Sequence, residues 1–513
     1  RQMCIRDRFK MGIVFNQSYK NIIIISIAIL IGAINTLYFY PVFLKEEYYG
    51  LVVFLLATSN LLMPLVSFGS QHTIIKYFSS YKNKNERDSF MSSVILIPLL
   101  TILPITFIVI EFHDLIGKFL SVQNPIIESY VWVIFLVAFA TSYFEVFYSW
   151  SRVQLKSVFG NFLKEIFPRL SIFSLLVCVY FGYISKENFV WWLTGFYYLR
   201  LLIMMAYSFS LYTPKVTYKL PSNIKSILTY SFFIFLAGSA ASILIDIDKF
   251  MIPQKEAISQ TAFYAVAVFI ATVVEIPGRA MFQIINPLVA KSLNQNNIVE
   301  LKNLYTKSSI NLLIIAGLFF LLININIEPF YELMANPSYG DAIWVVLMIS
   351  LSKLILMSFG CGPAILATAK FYKITLPFSI FMAAAVYFLN DTLIDIYSIE
   401  GAALSTLIVV AFFTLIKVLY IKFKLDIVPY SIQTIKVLGI ILIMFFLFAD
   451  KDGDGRFAYF MFDYFELELS NIFEIALNSI LVLLLYLFLI YKTKSSDDIS
   501  MFVRNLLNGK LGF

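Results

Sequence analysis

The chain has 513 residues, of which 60% are hydrophobic and only 14% are charged. Soluble globular domains carry about a quarter charged residues, so this composition excludes an ordinary soluble protein and predicts an integral membrane protein. The formal net charge is +7, but the basic residues lie in short loops between apolar runs, which is typical of membrane topology, and we expect no nucleic-acid partner. The three cysteines, Cys4, Cys178 and Cys361, are scattered and predict no disulfide framework or metal site.

Apolar runs of about 20 residues recur along the chain, long enough to cross roughly 30 Å of hydrocarbon as helices. A transmembrane barrel would instead show weak alternating segments of about ten residues. The predicted fold class is therefore an all-α integral membrane protein. We predict fourteen spans, at residues 21–41, 50–69, 91–112, 129–149, 168–184, 189–212, 228–252, 261–290, 308–327, 342–368, 373–390, 400–420, 432–449 and 472–491.

The distribution of basic residues predicts the orientation of these spans, because cytoplasmic loops are enriched in Lys and Arg. Alternate loops are basic, and the loops between them carry acidic residues such as Glu46, Glu328 and Asp391. Both termini should then be cytoplasmic. The polar residues 1–10 ahead of Met11 are expected to be a non-native stub, and the first span is too long for a signal peptide.

An internal repeat is visible in outline. The second span runs through Gly69 to Lys76 into a polar loop, and the eighth span runs through Asn286 to Lys291 in a similar way. Two lobes related by an axis along the membrane normal are a known transporter architecture, with substrate at their interface. The predicted parts are an N-lobe (11–212), a cytoplasmic linker (213–227), a C-lobe (228–424), two further helices (432–491) and a cytoplasmic amphipathic tail (492–513).

These motifs resemble a known family. The two lobes plus two helices, the Asp-Lys-Phe-Met of residues 248–251, the Ile-Pro-Gly-Arg of residues 276–279 and the Asn-Pro-Leu-Val-Ala-Lys of residues 286–291 are similar to those of Wzx-type oligosaccharide flippases. That family belongs to the MOP superfamily, with MATE drug exporters and lipid II flippases. The resemblance, over roughly residues 12–491, implies alternating-access transport of an undecaprenyl-diphosphate-linked glycan to the periplasmic leaflet, with polysaccharide polymerase or assembly proteins as partners.

No enzyme constellation is present in the sequence: it has no Walker loop and no HExxH, and His72 and His113 are the two histidines. We therefore expect a transporter without a cofactor, whose chemistry depends on charges inside the membrane. Arg200 lies about 16 Å into the sixth span, and Lys353 is about as deep in the tenth. Both suit a cationic cavity for a diphosphate. Lys249 and Arg279 are further candidates, while the alternative for Arg200 is a structural pair with Glu145.

Acidic residues in or near the spans suggest a second role. Asp246, Asp248, Glu275 and Glu145 could bind Na⁺ or carry protons, which would couple transport to an ion gradient. Helix breaks are the other feature of these spans, since a break frees backbone groups that must line a cavity or find internal partners. The hinge candidates are Pro277, Gly278, Gly360, Gly362 and Pro363.

One polar segment resembles part of a calcium loop. Asp450 to Gly455 has carboxylates at positions one, three and five and Gly at six, but position twelve is Met461 instead of Glu. A solvated acidic turn is therefore the preferred interpretation.

Three functions remain open on this reading: a lipid-linked glycan flippase, a MATE-like cation-coupled drug antiporter and a membrane scaffold. A drug antiporter of the resembled superfamily has an essential Asp in its first helix, but residues 21–41 contain no charge. A scaffold leaves Arg200 and Lys353 without explanation. The glycan flippase is preferred, and a lipid II flippase is an alternative.

Overall fold

A computed structural model of the chain describes residues 17, 20, 21, 23–81, 83–217, 219–334, 336–448, 470–496 and 498. These residues form helices, with no β-strand among them. They divide into two compact units, Arg1–Ala262 and Phe263–Phe513. Asp450 to Gly455 and most of the predicted amphipathic tail lie outside the described residues.

The first unit contains helices α1 to α9. Their bounds are α1 Ile23–Ser67, α2 Ser70–Tyr77, α3 Lys84–Glu111, α4 His113–Leu120, α5 Val131–Val153, α6 Ser157–Tyr180, α7 Lys186–Leu211, α8 Ile224–Lys255 and α9 Ile258–Ala271, whose end belongs to the second unit.

The second unit contains helices α10 to α17. Their bounds are α10 Ile276–Asn294, α11 Ile298–Ile325, α12 Ile327–Glu332, α13 Ile343–Ser358, α14 Gly362–Thr368, α15 Thr375–Leu425, α16 Ile432–Phe448 and α17 Asn471–Lys492. A short 3-10 segment, Thr272–Glu275, joins α9 to α10.

Two of the long helical stretches are broken and fold back on themselves. Lys45 in α1 has φ 60° and ψ 179°, and Tyr40 stacks on Tyr49 across it with 4.4 Å between ring centroids. In a straight helix residues nine apart would be about 13 Å apart. Ser398 in α15 has φ 51° and ψ −134°, and Lys417 Nζ lies 3.1 Å from Met382 Sδ, 35 residues away. Each stretch therefore contains two spans.

The described helices match the predicted count of about fourteen spans. Ten helical stretches are long and apolar enough to cross a membrane. The breaks at Lys45 and Ser398 divide two of these ten, and α6 and α16 supply two further spans. The fold class is thus an all-α, multi-pass membrane fold, as the sequence predicts.

The fifth span begins earlier than predicted. The sequence suggests 168–184, whereas α6 runs Ser157–Tyr180 and keeps Pro168 inside the helix. The apolar run alone misses this start because the first turns of α6 contain Lys164 and Glu165, which hydropathy assigns to a loop. Lys164 is therefore a helix residue, and its charge is matched by a partner on α5.

The helix predicted to open the second lobe packs within the first unit. Phe250 of α8 stacks on Phe54 of α1 at 6.1 Å between ring centroids, and Phe235 stacks on Phe68 at 5.5 Å. The division between the two compact units, after Ala262, falls inside α9, and the predicted bounds of the two lobes stay a prediction. The pseudo-symmetric repeat stays a prediction.

The core of the second unit includes the last two spans. Leu313 and Leu321 of α11 are fully buried in one apolar cluster with Met444 of α16 and Tyr486 of α17. The Tyr486 hydroxyl donates a hydrogen bond of 2.9 Å to the carbonyl of Ile314, which satisfies the one polar atom of a fully buried ring. The predicted helices 432–491 thus pack on α11.

Candidate functional site

Arg200 is buried in the first unit without a carboxylate partner among the described residues. It lies on α7 and is 5% exposed. Its guanidinium carbon lies 4.3 Å from the ring centroid of Phe144 and 4.7 Å from that of Tyr197. Its Nε atom is buried and has no hydrogen-bond partner in the described part of the chain. Aromatic faces attract a cation by about 2 kcal/mol when it is desolvated, less than a full counter-ion would provide.

The predicted alternative, in which Arg200 pairs with Glu145, is wrong. Glu145 forms its ion pair with Lys164 of α6, with 2.6 Å between Lys164 Nζ and Glu145 Oε1. Phe144 and Glu145 are neighbours on α5, so their side chains point in different directions around the helix. Phe144 contacts Arg200, while Glu145 reaches Lys164.

A second charged group lies on α8. Lys249 Nζ is 2.9 Å from Asp246 Oδ1, and Asn60 of α1 donates a hydrogen bond of 3.2 Å to Asp246 Oδ2. Asp246 is 6% exposed and Asp248 is 8% exposed. Lys249 therefore neutralises Asp246 within one turn of the helix, and both oxygens of this carboxylate have a partner.

The second unit holds three of the predicted site residues in one cluster. Glu275 Oε1 lies 2.6 Å from Arg279 Nη2, and Glu275 Oε2 lies 3.0 Å from Lys353 Nζ. The Glu275 side chain is 21% exposed and that of Lys353 is 23% exposed, whereas that of Arg279 is 55% exposed. One carboxylate thus bridges two cations, and the group keeps a formal charge of +1.

The predicted hinge residues coincide with interruptions of the helices, although their role as hinges stays a prediction. The 3-10 segment Thr272–Glu275 ends where α10 begins, and Pro277 lies in the first turn of α10. Gly360 and Gly362 lie where α13 ends and α14 begins, with Pro363 in the first turn of α14.

Glycine is required at one of these positions, Gly360, and Gly278 is closely packed. A Cβ atom on Gly278 would lie 2.5 Å from Met357 Sδ. Gly360 has φ +57°, and a Cβ there would lie 2.6 Å from the backbone nitrogen of Ser309. At Gly360 the backbone of Ser309 would have to move, whereas at Gly278 the flexible Met357 side chain would have to move.

Two cavities are lined by residues other than these charged ones. One of about 570 Å³ in the first unit is lined by Lys20, Lys156 and Tyr207, among others. One of about 640 Å³ in the second unit is mostly apolar, with Ser358 and Tyr430 among its lining residues. Neither is lined by Arg200 or Lys353. No group of three or more His, Cys, Asp or Glu residues in the described ranges could hold a metal ion.

Sequence reasoning missed several residues that contact the predicted ones. Spacing offers no signal for Asn60, Phe144 or Tyr197, because Asn60 lies far along the chain from Asp246 and aromatic residues are abundant in every span. Two pairs do carry a local signal: Asp246 and Lys249 are three residues apart, and Glu275 and Arg279 are four apart.

Comparison with known proteins assigns the family. The model of a family described as polysaccharide biosynthesis protein matches residues 18–283, just over half of the chain. The chain belongs to the polysaccharide biosynthesis protein family. No curated protein matches it.

Solved structures of the MOP superfamily share the fold of this polysaccharide biosynthesis protein. The lipid II flippase MurJ, in an inward closed conformation, is 14% identical, with a TM-score of 0.67 and coverage of 93% of this chain and 99% of that one. An inward-facing multidrug resistance MATE family transporter is 13% identical, with a TM-score of 0.59 and coverage of 78% and 94%. An outward-facing MATE structure is also 13% identical, with a TM-score of 0.52 and coverage of 79% and 95%.

The family is one of polysaccharide biosynthesis proteins, and the fold is shared with the lipid II flippase MurJ and with MATE transporters. The predicted resemblance to Wzx-type flippases fits both findings. At these identities the likeness to MurJ and to MATE transporters concerns the fold, so the substrate has to be argued from the residues of this chain.

Proposed function

We propose that the protein flips undecaprenyl-diphosphate-linked oligosaccharide from the cytoplasmic to the periplasmic leaflet by alternating access, without enzymatic activity and without a cofactor. The observation that carries this proposal is Arg200, a buried guanidinium with no carboxylate partner among the described residues. Burial of a charge without an ion-pair partner costs free energy. The presence of Arg200 inside a span is explained best by an anion that binds it during the transport cycle.

A diphosphate fits the chemistry of the available cations. Arg200 presents a planar guanidinium, which binds phosphate oxygens through paired hydrogen bonds, and Lys353 provides a compact positive charge. The cluster of Glu275, Arg279 and Lys353 carries one positive charge in excess of its carboxylate. Lys249 contributes less, because Asp246 already neutralises it.

The same charges argue against a drug antiporter. A cationic drug needs free carboxylates, whereas Asp246 and Glu275 each contact a cation and the first predicted span has no charged residue. A lipid II flippase remains the alternative, since lipid II presents the same diphosphate.

We propose an inner-membrane location with cytoplasmic termini, and polysaccharide polymerase or assembly proteins as partners.

The test combines export with protein level. Arg200→Ala and Lys353→Ala should leave folded protein in the membrane and cause lipid-linked oligosaccharide to accumulate in the inner leaflet. Arg200→Lys keeps the charge but loses the planar fork, so its export should be intermediate. Each charged hydrogen bond contributes about 1.5 to 3 kcal/mol, so we expect each Ala variant to lose roughly ten- to a hundredfold in substrate engagement.

Arg169→Ala serves as the matched control, because Arg169 lies on a neighbouring span but forms an ion pair of 3.2 Å with Glu165. Its export should be close to that of the unaltered protein. Normal export by both well-expressed Ala variants, at Arg200 and at Lys353, would contradict the proposed function.

A further inference from the structure

Each carboxylate oxygen of Glu275 contacts a cation. Without Glu275, these two cations could bind an anion. Oε1 contacts Arg279 on α10, and Oε2 contacts Lys353 on α13, at 2.6 Å and 3.0 Å. The donors of Arg279 and Lys353 that face this carboxylate are the same kind of donors that bind phosphate oxygens. An anion that uses both cations must therefore compete with Glu275.

The charge of the cluster makes such an exchange favourable. One carboxylate opposite two cations leaves a net charge of +1, and the Glu275 side chain is only 21% exposed. A diphosphate bears more negative charge than a carboxylate, so it neutralises the two cations more completely. Asp246 and Lys249, by contrast, form a pair without excess charge, in which an incoming anion would gain less.

Glu275 also lies at an interruption of the helical backbone. It is the last residue of the 3-10 segment Thr272–Glu275, and Pro277, which has no backbone N–H to donate, lies in the first turn of α10. The ion pair with Lys353 ties this interruption to α13, and Gly278 allows the close approach of Met357 beside it. Release of Glu275 from Lys353 would remove a polar tie between the interrupted helix and α13.

We propose that Glu275 is an internal counter-ion, which holds Lys353 and Arg279 when no substrate is bound and is displaced by the diphosphate of the lipid. This inference rests on the proposed function and adds to it a carboxylate that substrate must replace. When substrate displaces Glu275, the ion pair between Glu275 and Lys353 is broken. The break in the helix before α10 is then no longer tied to α13. This release occurs only when substrate is bound.

The inference predicts that removal of an acidic residue improves binding. In Glu275→Gln the two cations keep their charge but lose their competitor, so the affinity for a lipid diphosphate should rise by roughly tenfold, the equivalent of about 1.4 kcal/mol. In Lys353→Gln the affinity should fall by a similar factor. If Glu275 had only a structural role, Glu275→Gln would not raise the affinity for the diphosphate. If Glu275 were a ligand of a coupling ion, Glu275→Gln would instead change how transport depends on the ion gradient.

The experiment measures binding of farnesyl diphosphate to the purified full chain by titration calorimetry in detergent. Glu300→Gln is the control, since Glu300 is a half-buried carboxylate of the second unit that accepts a hydrogen bond from Asn297 and forms no ion pair with a cation in the described part of the chain; the affinity of this variant should stay unchanged. If Glu275→Gln does not fold, Glu275→Asp replaces it, because the shorter side chain weakens the bridge between the two cations, and its affinity should rise to a smaller extent.

The outcomes separate this inference from the proposed function. Tighter binding by the Glu275 variant together with weaker binding by Lys353→Gln supports the counter-ion. If the unaltered protein binds and Arg200→Ala or Lys353→Gln weakens binding, while the Glu275 variant binds equally or less tightly, the counter-ion is refuted and the function stands. If the unaltered protein and all variants fail to bind farnesyl diphosphate, the diphosphate site itself is refuted.

Discussion

Lys164 Nζ lies 2.6 Å from Glu145 Oε1, so the carboxylate that the sequence offers to Arg200 already has another partner. Arg200 lies instead against the rings of Phe144 and Tyr197. The two cations of this region therefore have different roles. Lys164 is 42% exposed and completes an ion pair between α5 and α6, whereas Arg200 is buried and forms no ion pair with a carboxylate among the described residues.

This difference predicts opposite effects on stability. Lys164→Met leaves the Glu145 side chain, which is 15% exposed, without its counter-ion. We expect the free energy of unfolding to fall by about 1 to 2 kcal/mol, a value reduced for the exposure of Lys164. Arg200→Met removes an unpaired buried charge and keeps an apolar side chain of similar length, so the protein should be at least as stable while its export is lost.

Unfolding of the purified variants in denaturant measures both effects. The combination of Arg200→Ala with Glu145→Gln adds a control: if Glu145 were the partner of Arg200, neutralising it would restore protein level, and we expect no such rescue. A loss of stability in Arg200→Met larger than that in Lys164→Met would contradict this assignment of partners.

The spans and the local ion pairs could be predicted from the sequence because both depend on residues close together in the chain. Hydropathy identifies the apolar runs, and spacing of three or four residues identifies the pairs of Asp246 with Lys249 and Glu275 with Arg279. The contact of Lys353 with Glu275 could not be predicted, because it depends on how α13 packs against the segment before α10.

The start of α6 shows a different limit of the sequence analysis. Hydropathy alone assigns polar residues such as Lys164 and Glu165 to a loop. They are tolerated in a helix because each has an ion-pair partner, Lys164 on α5 and Glu165 within α6. The partner of Lys164 depends on how α5 and α6 are aligned against each other. The hydropathy pattern of one helix does not reveal this alignment. The pairing of Glu145 was predicted wrongly for the same reason.

A second prediction concerns Tyr212, which directly follows the last residue of α7. The hydroxyl of Tyr212 donates a hydrogen bond to Asp88, a carboxylate of α3 that is only 1% exposed. Partial burial and this hydrogen bond raise the pKa of Tyr212 to about 12. Tyr212→Phe leaves Asp88 without that donor and should lower the free energy of unfolding by about 1 to 3 kcal/mol.

The pH dependence follows from the sign of the shift. Because the pKa of Tyr212 is raised on folding, its contribution is complete below the ordinary tyrosine value of about 10 and is lost as pH rises through about 12. The difference in unfolding free energy between Tyr212→Phe and the unaltered protein should therefore be constant from about pH 6 to pH 9. Denaturant titrations at several pH values check this, and a difference that shrinks between pH 6 and pH 8 would contradict it.

The third prediction is topological. Short loops that are rich in Lys and Arg are expected on the cytoplasmic side of the membrane. A reporter fused after Lys215 or at the C-terminus should therefore give the cytoplasmic signal. A reporter inserted between residues 450 and 470 should give the periplasmic signal, because it would lie between the last two spans. Paired reporters active on only one side of the membrane make the measurement, and opposite signals at any of these positions would overturn the predicted orientation.

The last prediction concerns ion coupling. A carboxylate that binds Na⁺ or a transported proton has to be free of strong cationic partners in part of the cycle, since a neighbouring cation competes with the ion. Asp246 contacts Lys249 at 2.9 Å and Asn60 at 3.2 Å. We therefore expect the Asp246→Asn variant to keep whatever dependence on the sodium or proton gradient the unaltered protein shows. Transport in vesicles with imposed gradients measures this dependence, and its loss in Asp246→Asn, at normal protein level, would return the coupling role to this carboxylate.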